Sequence, residues 1–487
     1  MTNASVGTVI VQERCSPMAN IFKPGKNCWR VEHADRSAVL IDGENYFRAV
    51  RKSLAQAKQR IMLLGWDFDE RVEMHDTVEQ MEGPLQIGAY FDWLLKKNRD
   101  LDIYVLRWDT GALKSFVRFN GLLTLARWYF HPRVHFKLDA HHPVGAAHHQ
   151  KVIVIDEDTA FCSGIDVANN RWDTRSHEEN QKQRYQPDGN DAGPWHDAAM
   201  VVQGDVARAL SEYAVQHWDA AGGKKVKTVA ARADCWPAGL EADFTDCPVA
   251  IARTLPEMDD QPRVNEIENL SVDLIAAAER YIYVESQYFA SAAIARAIVE
   301  RLAEPDGPEV IIVNPQSAEG WLEAEIMNSS RARLYQAVKA RDKYDRFRMF
   351  HPFNAAGTPV YVHAKILIVD DRYIRIGSSN FNNRSLGFDS ECDAAIDASA
   401  TEGTTVSSQI ASVRNDLLSE HLGRDESEVR KSLAETGSLI ATIETLSDPG
   451  RRLRPYQTPD INAVEEWLAD NDILDPKRAD DVFAGII

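Results

Sequence analysis

Two short segments of the chain repeat one polar pattern, H-x-K-x-x-x-x-D. Its members are His149, Lys151 and Asp156 in the first segment and His363, Lys365 and Asp370 in the second. An imidazole can attack a phosphorus atom or transfer protons, and a lysine ammonium group offsets the charge of a phosphate. Two copies of this pattern predict one phosphate-handling active site that is assembled from two similar halves.

The residues after each lysine favour a β-strand, because residues 152–155 and 366–369 are β-branched or aliphatic. Side chains two residues apart on a strand point to the same face, so each motif histidine should share a face with its lysine. A pair of small residues follows each strand, at 163–164 and 377–378. A single H-x-K could belong to an ordinary exposed hairpin, whereas two copies with the same small pair favour an active site.

The repeat extends to the elements that would position the motifs. Residues 49–66 and 270–284 each have the pattern of an amphipathic helix that runs into a strand. The motif histidine follows Ile61 by 88 residues in the first copy and Ile282 by 81 residues in the second. This small difference is the size of a loop insertion, so the sequence predicts two homologous halves.

Helices and strands alternate within each half, and further strands are expected at 103–106, 159–162, 309–313 and 373–376. This alternation predicts an α/β sandwich with a mixed, largely buried sheet. The least periodic stretch lies between the halves. The predicted division is an N-terminal extension (1–34), a first half (35–219), a linker (220–250), a second half (251–420) and a C-terminal helical extension (421–487).

Several longer segments resemble the phospholipase D superfamily, and in particular phospholipases D proper. They are Gly164-Ile165-Asp166, Arg171-Trp172-Asp173-Thr174, Pro194-Trp195-His196-Asp197, the run I-Y-V-E-S-Q-Y-F at 282–289, the run G-S-S-N-F-N-N-R-S at 377–385, and Asp389-Ser390-Glu391. The resemblance covers residues 35–420 and departs at Ser163-Gly164, where the family often has Gly-Gly or Gly-Ser. It implies the phospholipase D fold, with two homologous α/β/α sandwich halves and one active site at their interface.

The resemblance also implies a two-step reaction through a phosphohistidine. The family usually takes its nucleophile from the first motif, so His149 is expected to attack phosphorus. His363 is then expected to act as general acid and afterwards as general base. Lys151 and Lys365 would bind the non-bridging phosphoryl oxygens, where charge develops in the transition state.

Further residues are expected around the phosphate on the same grounds. Asn380 resembles the phosphate-binding asparagine of the family, and Asp166 takes the equivalent place in the first half. Glu391 matches a residue that hydrogen-bonds the motif histidine, and Asp197 is its expected counterpart in the first half. A carboxylate on one ring nitrogen fixes the tautomer of an imidazole and raises its basicity.

Two groups of residues admit a second interpretation. Asp156 and Asp370 are counted with the catalytic residues as members of the motifs, yet their places past the strand ends favour a bracing role. Aromatic residues near the motifs are assigned to a substrate pocket, although core positions explain them equally well. They are Trp172, Trp195, Tyr288 and Phe381.

A histidine-rich stretch at 141–149 invites comparison with metal sites. Adjacent residues point to opposite faces of a strand, which disfavours a site with three histidine ligands. His141 and His142 are therefore expected in a loop or at the rim of a pocket. The motifs imply no metal and no required cofactor, because the lysines supply positive charge, and they leave stimulation by Ca²⁺ open.

Composition limits the classes of function. The 487 residues are 44% apolar and 26% charged, which is typical of soluble globular proteins. No apolar run approaches the length of a transmembrane helix, and no signal peptide is visible at residues 1–11. Cytoplasmic location, export by a signal-independent route and a mature secreted form therefore stay open. The net charge of −19 disfavours a general nucleic-acid binder and purely electrostatic adsorption to anionic membranes.

The six cysteines show no spacing typical of a zinc site. Cys162 and Cys392 lie in strand-like contexts and are expected to be buried. Two other pairs would form disulfides only in an oxidising compartment, which the sequence does not specify. These pairs are Cys15/Cys28 and Cys235/Cys247.

The expected function is that of a phospholipase D, which hydrolyses the distal phosphodiester of glycerophospholipids to phosphatidic acid and a free headgroup alcohol. Transfer to other alcohols (transphosphatidylation) is expected as well. The partner would be phospholipid at a membrane or micelle surface, met peripherally by a monomer. The alternatives are a phosphatidyltransferase such as a cardiolipin synthase-like enzyme, a phosphodiesterase acting on nucleic acid, and a phospholipid-binding protein without activity. Two intact motifs weaken the last of these.

Overall fold

The computed structural model describes most of the chain. The described residues are 20–109, 128, 130–168, 170–184, 192–230, 233–259, 261–317, 321–400, 405–447 and 450–458. Cys15 and the residues from 459 onward, which belong to the predicted terminal extensions, lie outside this description.

The helices and strands alternate along each half, as the sequence predicts. The helices are α1 (Asp42–Leu54), α2 (Ile87–Lys97), α3 (Asp205–Ala220), α4 (Glu266–Ala276), α5 (Ala292–Leu302), α6 (Trp321–Lys339), α7 (Asn383–Gly387), α8 (Thr405–Leu422), α9 (Glu426–Thr436) and α10 (Leu439–Leu446). The strands are β1 (Arg30–Ile41), β2 (Arg60–Gly65), β3 (Asp102–Trp108), β4 (Val134–Asp139), β5 (Lys151–Ile155), β6 (Thr159–Ser163), β7 (Trp195–His196), β8 (Ala198–Gly204), β9 (Phe244–Leu255), β10 (Val264–Asn265), β11 (Tyr281–Glu285), β12 (Glu309–Val313), β13 (Phe347–Phe353), β14 (Tyr361–Val362), β15 (Ile366–Val369), β16 (Tyr373–Gly377), β17 (Glu391–Asp397) and β18 (Arg452–Pro455).

The two halves repeat one strand order. The first half reads β1-β8-β6-β5-β2-β3-β4 across the sheet, and the second reads β9-β17-β16-β15-β11-β12-β13, with β18 added at the edge. In both halves the last three strands of the shared order are parallel and the others are antiparallel. The motif strands β5 and β15 occupy the same place in the two orders. The fold is therefore the mixed α/β fold with two homologous halves that the sequence predicts.

The halves share one continuous sheet. Strand β1 pairs antiparallel with β9, from Arg30 opposite Ile251 to Ser37 opposite Phe244. Both strands cross boundaries drawn from the sequence, since β1 begins before residue 35 and β9 begins inside the predicted linker. The division into domains stays a prediction, but the sheet is continuous across the boundary between the two halves.

Apolar side chains alternate between the two faces of the sheet, which places helices on both sides. On β2, Met62 and Leu64 pack in a cluster with α3, α8 and α10, whereas Ile61 and Leu63 pack in a cluster with α1 and α2. In the second half the equivalent cluster contains side chains of α4 and α5. This gives three layers, with the predicted C-terminal helices packed against the sheet through residues such as Leu439 and Ile443.

Two composition-based expectations can be compared with the described residues. Within them, no helix is long and apolar enough to cross a bilayer. The described cysteines, including Cys162 and Cys392, are buried free thiols. Cys235 and Cys247 are thus not joined, and the pairing of Cys28 with Cys15 lies outside the described residues.

Candidate active site

The two motif histidines come from different halves and line one cavity of about 320 Å³. His149 lies just before β5 and His363 just before β15, so each imidazole lies at the N-terminal end of its motif strand. The lining residues are Trp66, Trp108, Ala147, His149, Asp166, Arg171, Gln287, Tyr288, Met327, His363, Asn380, Asn382, Arg384, Ser385 and Asp389. Both halves contribute to this list, so the cavity lies at their interface.

Backbone hydrogen bonds between the halves hold both imidazoles. The amide of His363 donates to the carbonyl oxygen of His196 at 2.8 Å, and the amide of His149 donates to that of Ser390 at 2.8 Å. Strand β14, just before His363, pairs with β7 of the first half. Each motif is thereby fixed to a segment of the opposite half.

The orienting carboxylates are exchanged between the halves. Nδ1 of His149 lies 2.9 Å from Oε1 of Glu391, and Nδ1 of His363 lies 2.7 Å from Oδ2 of Asp197. The sequence analysis named both carboxylates as orienting residues without assigning either to a particular histidine, and in the structure each one lies against the imidazole of the opposite half. The cause is topological, because the segments that follow the motifs cross the interface before they present their acids. In both pairs Nε2 is left as the nitrogen available for chemistry.

The small residues after the motifs are required by these carboxylates. A Cβ atom on Gly164 would collide with the carboxylate of Asp197, and one on Gly377 would collide with that of Asp393. Ser378 donates its hydroxyl to Glu391 and therefore holds the acid behind His149. The predicted small pairs thus leave room for the buried acids and hold them in place.

The two lysines are buried next to the imidazoles. Nζ of Lys151 donates to the carbonyl oxygen of His149 at 2.6 Å and lies 3.3 Å from Oδ2 of Asp166. Nζ of Lys365 donates to the carbonyl oxygen of His363. Asp166 in turn accepts hydrogen bonds from the amides of residues 66 and 67. A fixed array of donors and charges therefore surrounds the imidazoles before any substrate enters.

Burial and the lysines set the protonation of the site. Burial, followed by the charges of Lys151 and Lys365, lowers the pKa of His149 well below its usual value. Burial and then Lys365 lower the pKa of His363 in the same way. Burial also lowers the pKa of Lys365 to about 7 and raises that of Glu391 to about 7. At neutral pH the imidazole of His149 is thus unprotonated, as a nucleophile must be.

The motif aspartates accept hydrogen bonds from backbone amides, which favours the bracing role that the sequence analysis weighed for them. Asp156 accepts hydrogen bonds from the amides of residues 58, 59 and 60, at 2.6–2.9 Å. Asp370 accepts from the amides of residues 279, 280 and 281. Both have positive φ angles, 50° and 55°, in the turn after the motif strand. Each fixes the start of the adjacent strand, β2 or β11, which pairs antiparallel with the motif strand, and each lies at the opposite end of the motif strand from the histidine.

Two arginines and an asparagine supply polar groups to the cavity. Asn380 lines it as predicted, and its Oδ1 has no hydrogen-bond partner. Arg171 lies over the ring of Trp195, with 4.2 Å between its Cζ and the ring centroid. Arg384 is paired with Asp389 at 2.7 Å. The sequence contained both arginines in its resembling segments, but their direction toward the cavity depends on loop geometry that no periodicity encodes.

Only one of the four assigned pocket aromatics lines the cavity. Tyr288 does, whereas Phe381 is fully buried in the core. Trp172 is buried and donates from Nε1 to the carbonyl oxygen of His75 at 2.9 Å. Trp195 packs beneath His363, with ring centroids 4.9 Å apart. The assignment of these three residues to the pocket is thus corrected, because each ring is covered by neighbours.

Trp66 and Trp108 form the aromatic wall that the sequence did not single out. Their rings stack with centroids 5.9 Å apart, and Trp66 lies 6.4 Å from His149. His142 accepts from Nε1 of Trp108 at 3.1 Å, which places this histidine near the rim, as expected. Trp66 directly follows β2, and Trp108 is the last residue of the parallel strand β3.

The chain is similar in sequence to known proteins of the phospholipase D type. Residues 272–413 match a family model described as a cardiolipin synthase, PLD-like domain. Phospholipase D alpha 4 of Arabidopsis thaliana is 24% identical over 495 residues, which cover 79% of this chain and 64% of that protein. Phospholipase D1 of Saccharomyces cerevisiae is 24% identical, with coverage of 71% and 26% respectively. The chain therefore spans less than two thirds of the length of these relatives.

A solved structure shares the fold. The phosphatidylserine synthase of Haemophilus influenzae Rd KW20 superimposes with a TM-score of 0.53 at 13% identity, covering 86% of this chain and 96% of that one. At this identity the likeness concerns the arrangement of helices and strands.

Proposed function

Since the chain belongs to the phospholipase D superfamily, we propose that it is a phospholipase D that cleaves the distal phosphodiester of glycerophospholipids through a phosphohistidine. The observation that carries this proposal is the pair of imidazoles in one cavity, each with Nδ1 held by a buried carboxylate. A double displacement at phosphorus requires two such imidazoles, one to attack phosphorus and one to transfer protons.

In the first step, Nε2 of His149 attacks phosphorus and the bond to the headgroup oxygen breaks. His363 donates its Nε2 proton to the leaving alcohol. Burial and the charge of Lys365 lower the pKa of His363, but a bound phosphodiester anion favours the protonated imidazole, so substrate binding would protonate the general acid. The charge that develops on the phosphoryl oxygens faces Lys151, Lys365 and Arg171.

In the second step, His363 has become a base. It takes a proton from water, the oxygen attacks phosphorus, and the bond between phosphorus and His149 breaks. An alcohol in place of water gives a new phosphodiester, which is transphosphatidylation. No step needs a metal ion, because the lysines and arginines carry the positive charge.

A phosphatidyltransferase remains the second candidate. The matching family model is named for a cardiolipin synthase, and the structural neighbour is a phosphatidylserine synthase. Both reactions use the same phosphohistidine and differ in the acceptor. A nucleic-acid substrate is disfavoured by the net charge of −19.

The test is an assay with phosphatidylcholine vesicles, with and without ethanol. We expect choline release in both cases and phosphatidylethanol only in the second. His149→Asn serves as the inactive control. Release of choline only when an alcohol is present would identify a transferase, and turnover of a DNA phosphodiester without turnover of lipid would contradict the proposal.

A further inference from the structure

A second cluster of histidines lies behind the catalytic cavity. His148 directly precedes the catalytic His149 and points the other way, toward Asp139 at the end of β4 and His217 on α3. One nitrogen or oxygen from each of these three residues lies within 4.8 Å of the others. We propose that Asp139, His148 and His217 form a binding site for one transition-metal ion of the Zn²⁺ type.

The first argument is an unpartnered nitrogen. His148 is 5% exposed, and its Nε2 lies 3.2 Å from Oδ1 of Asp139, yet this nitrogen has no hydrogen-bond partner. Its other nitrogen, Nδ1, lies 3.2 Å from the hydroxyl of Ser390. If Nδ1 carries the proton, Nε2 presents a lone pair to the cluster. Metal-bound histidines are held in this way by a hydrogen bond on the second nitrogen.

His217 also has one ring nitrogen beside a polar side chain. Its Nδ1 lies 3.4 Å from the side-chain nitrogen of Gln150, whose Oε1 has no partner. Exchange of the amide nitrogen and oxygen would let Nδ1–H donate to Oε1 and satisfy both atoms. Nε2 of His217 is then the free ligand nitrogen.

The site has room for a further ligand. A cavity of about 60 Å³ is lined by all three residues and by His141. Three protein ligands with one open position suit Zn²⁺, whereas Ca²⁺ and Mg²⁺ prefer oxygen ligands. The sequence argument against a metal site concerned adjacent histidines only. In the structure, α3 brings a second imidazole, His217, from 69 residues farther along the chain.

In two other histidine–carboxylate clusters, each imidazole already forms an ion pair with a buried carboxylate. In one of them His177 and His196 bridge to Glu420 at 3.0 and 2.8 Å. The second nitrogens of these rings are held by Asp173 and Glu285 at 2.9 and 2.7 Å. The second cluster shares His196 and Glu285. In the first cluster both nitrogens of each imidazole thus face carboxylates. In the second, Nε2 of His421 lies 2.9 Å from Oε1 of Glu285, and its Nδ1 has no hydrogen-bond partner.

The experiment is titration of chelator-treated full-length protein with Zn²⁺, followed by calorimetry. We expect one equivalent to bind, and Asp139→Asn and His217→Gln each to weaken binding by roughly tenfold or more. His135→Gln is the matched control, because His135 lies on the same strand as Asp139, pairs with Asp102 at 3.2 Å and stacks on Tyr104, outside the proposed ligands. Substitution with Co²⁺ should give the visible bands of a four-coordinate site in the native protein, which does not depend on the folding of any variant.

Absence of saturable binding to the native protein would overturn the proposal. So would binding that survives in Asp139→Asn and His217→Gln, or that weakens equally in the control. An ion held between the catalytic imidazoles would be lost in His149→Ala and retained in Asp139→Asn, which also contradicts the proposed site.

Discussion

At the scale of residues, the site separates two imidazoles that look equivalent in the sequence. His149→Ala should abolish both turnover and the covalent adduct. His363→Ala should lose roughly 10²–10⁴-fold on a natural phospholipid, because it lacks the general acid. A p-nitrophenyl phosphodiester has a good leaving group and needs no general acid. His363→Ala should therefore keep part of its activity on this substrate, whereas His149→Ala should not. Mass spectrometry of the trapped native enzyme checks the assignment, and an adduct on His363 would reverse it.

The exchanged carboxylates give a second test. Because Asp197 holds His363, Asp197→Asn should behave as His363→Ala does, with partial rescue by the activated ester. Glu391→Gln should behave as His149→Ala does, without rescue. The ratio of activity on the two substrates measures this directly. The opposite assignment of the two variants would mean that each carboxylate serves the imidazole of its own half.

The buried Lys365 predicts a dependence of stability on pH. Its pKa of about 7 in the folded protein lies below the usual 10.5, so the unfolded chain binds more protons between these values. The free energy of unfolding should therefore rise with pH above 7, by about 1.4 kcal/mol per unit for one proton. Lys365→Met should lack this slope. Urea unfolding of both proteins from pH 7.5 to 9.5 makes the comparison, and parallel curves would contradict it.

At the scale of elements, the motif aspartates hold the turns that start the parallel strands. Asp156→Ala should lower the free energy of unfolding by about 3 kcal/mol, because the amides of residues 58, 59 and 60 lose their shared acceptor. Asp370→Ala should cost less, since Asp370 is half-buried. Folded protein should keep activity within several-fold of the native value in both. A normal denaturation midpoint with lost turnover would show a direct chemical role.

The sequence carried most of the element-level information. The helix–strand repeat, the motif strands and the small pairs follow from local periodicity and spacing, and the structure has them at the expected places. Register between the halves could not be predicted, because the pairing of β1 with β9 and of β7 with β14 joins residues far apart in the chain. For the same reason the sequence could not assign Glu391 and Asp197 to particular histidines, and it did not single out Trp66 and Trp108.

At the scale of the whole molecule, the positive charge of the cavity comes from side chains although the protein is strongly acidic. Activity should therefore survive removal of divalent ions by EDTA. An ion at the site behind His148 would affect thermal stability without abolishing turnover, so melting and activity should be measured on the same sample. Complete loss of activity that a divalent ion restores would show a metal requirement in the reaction.

The crossed acids also bear on how such a chain could arise. A single half would own an imidazole with no acid behind it, so it would be inert alone and competent only when a second copy faced it across a two-fold axis. Joining two copies end to end in one chain preserves that arrangement. It also allows the two copies to diverge, because a substitution can then occur in one copy only. Asp166 and Asn380 occupy equivalent places and already differ in charge. Divergence of this kind is what allows one imidazole to specialise in attack and the other in proton transfer.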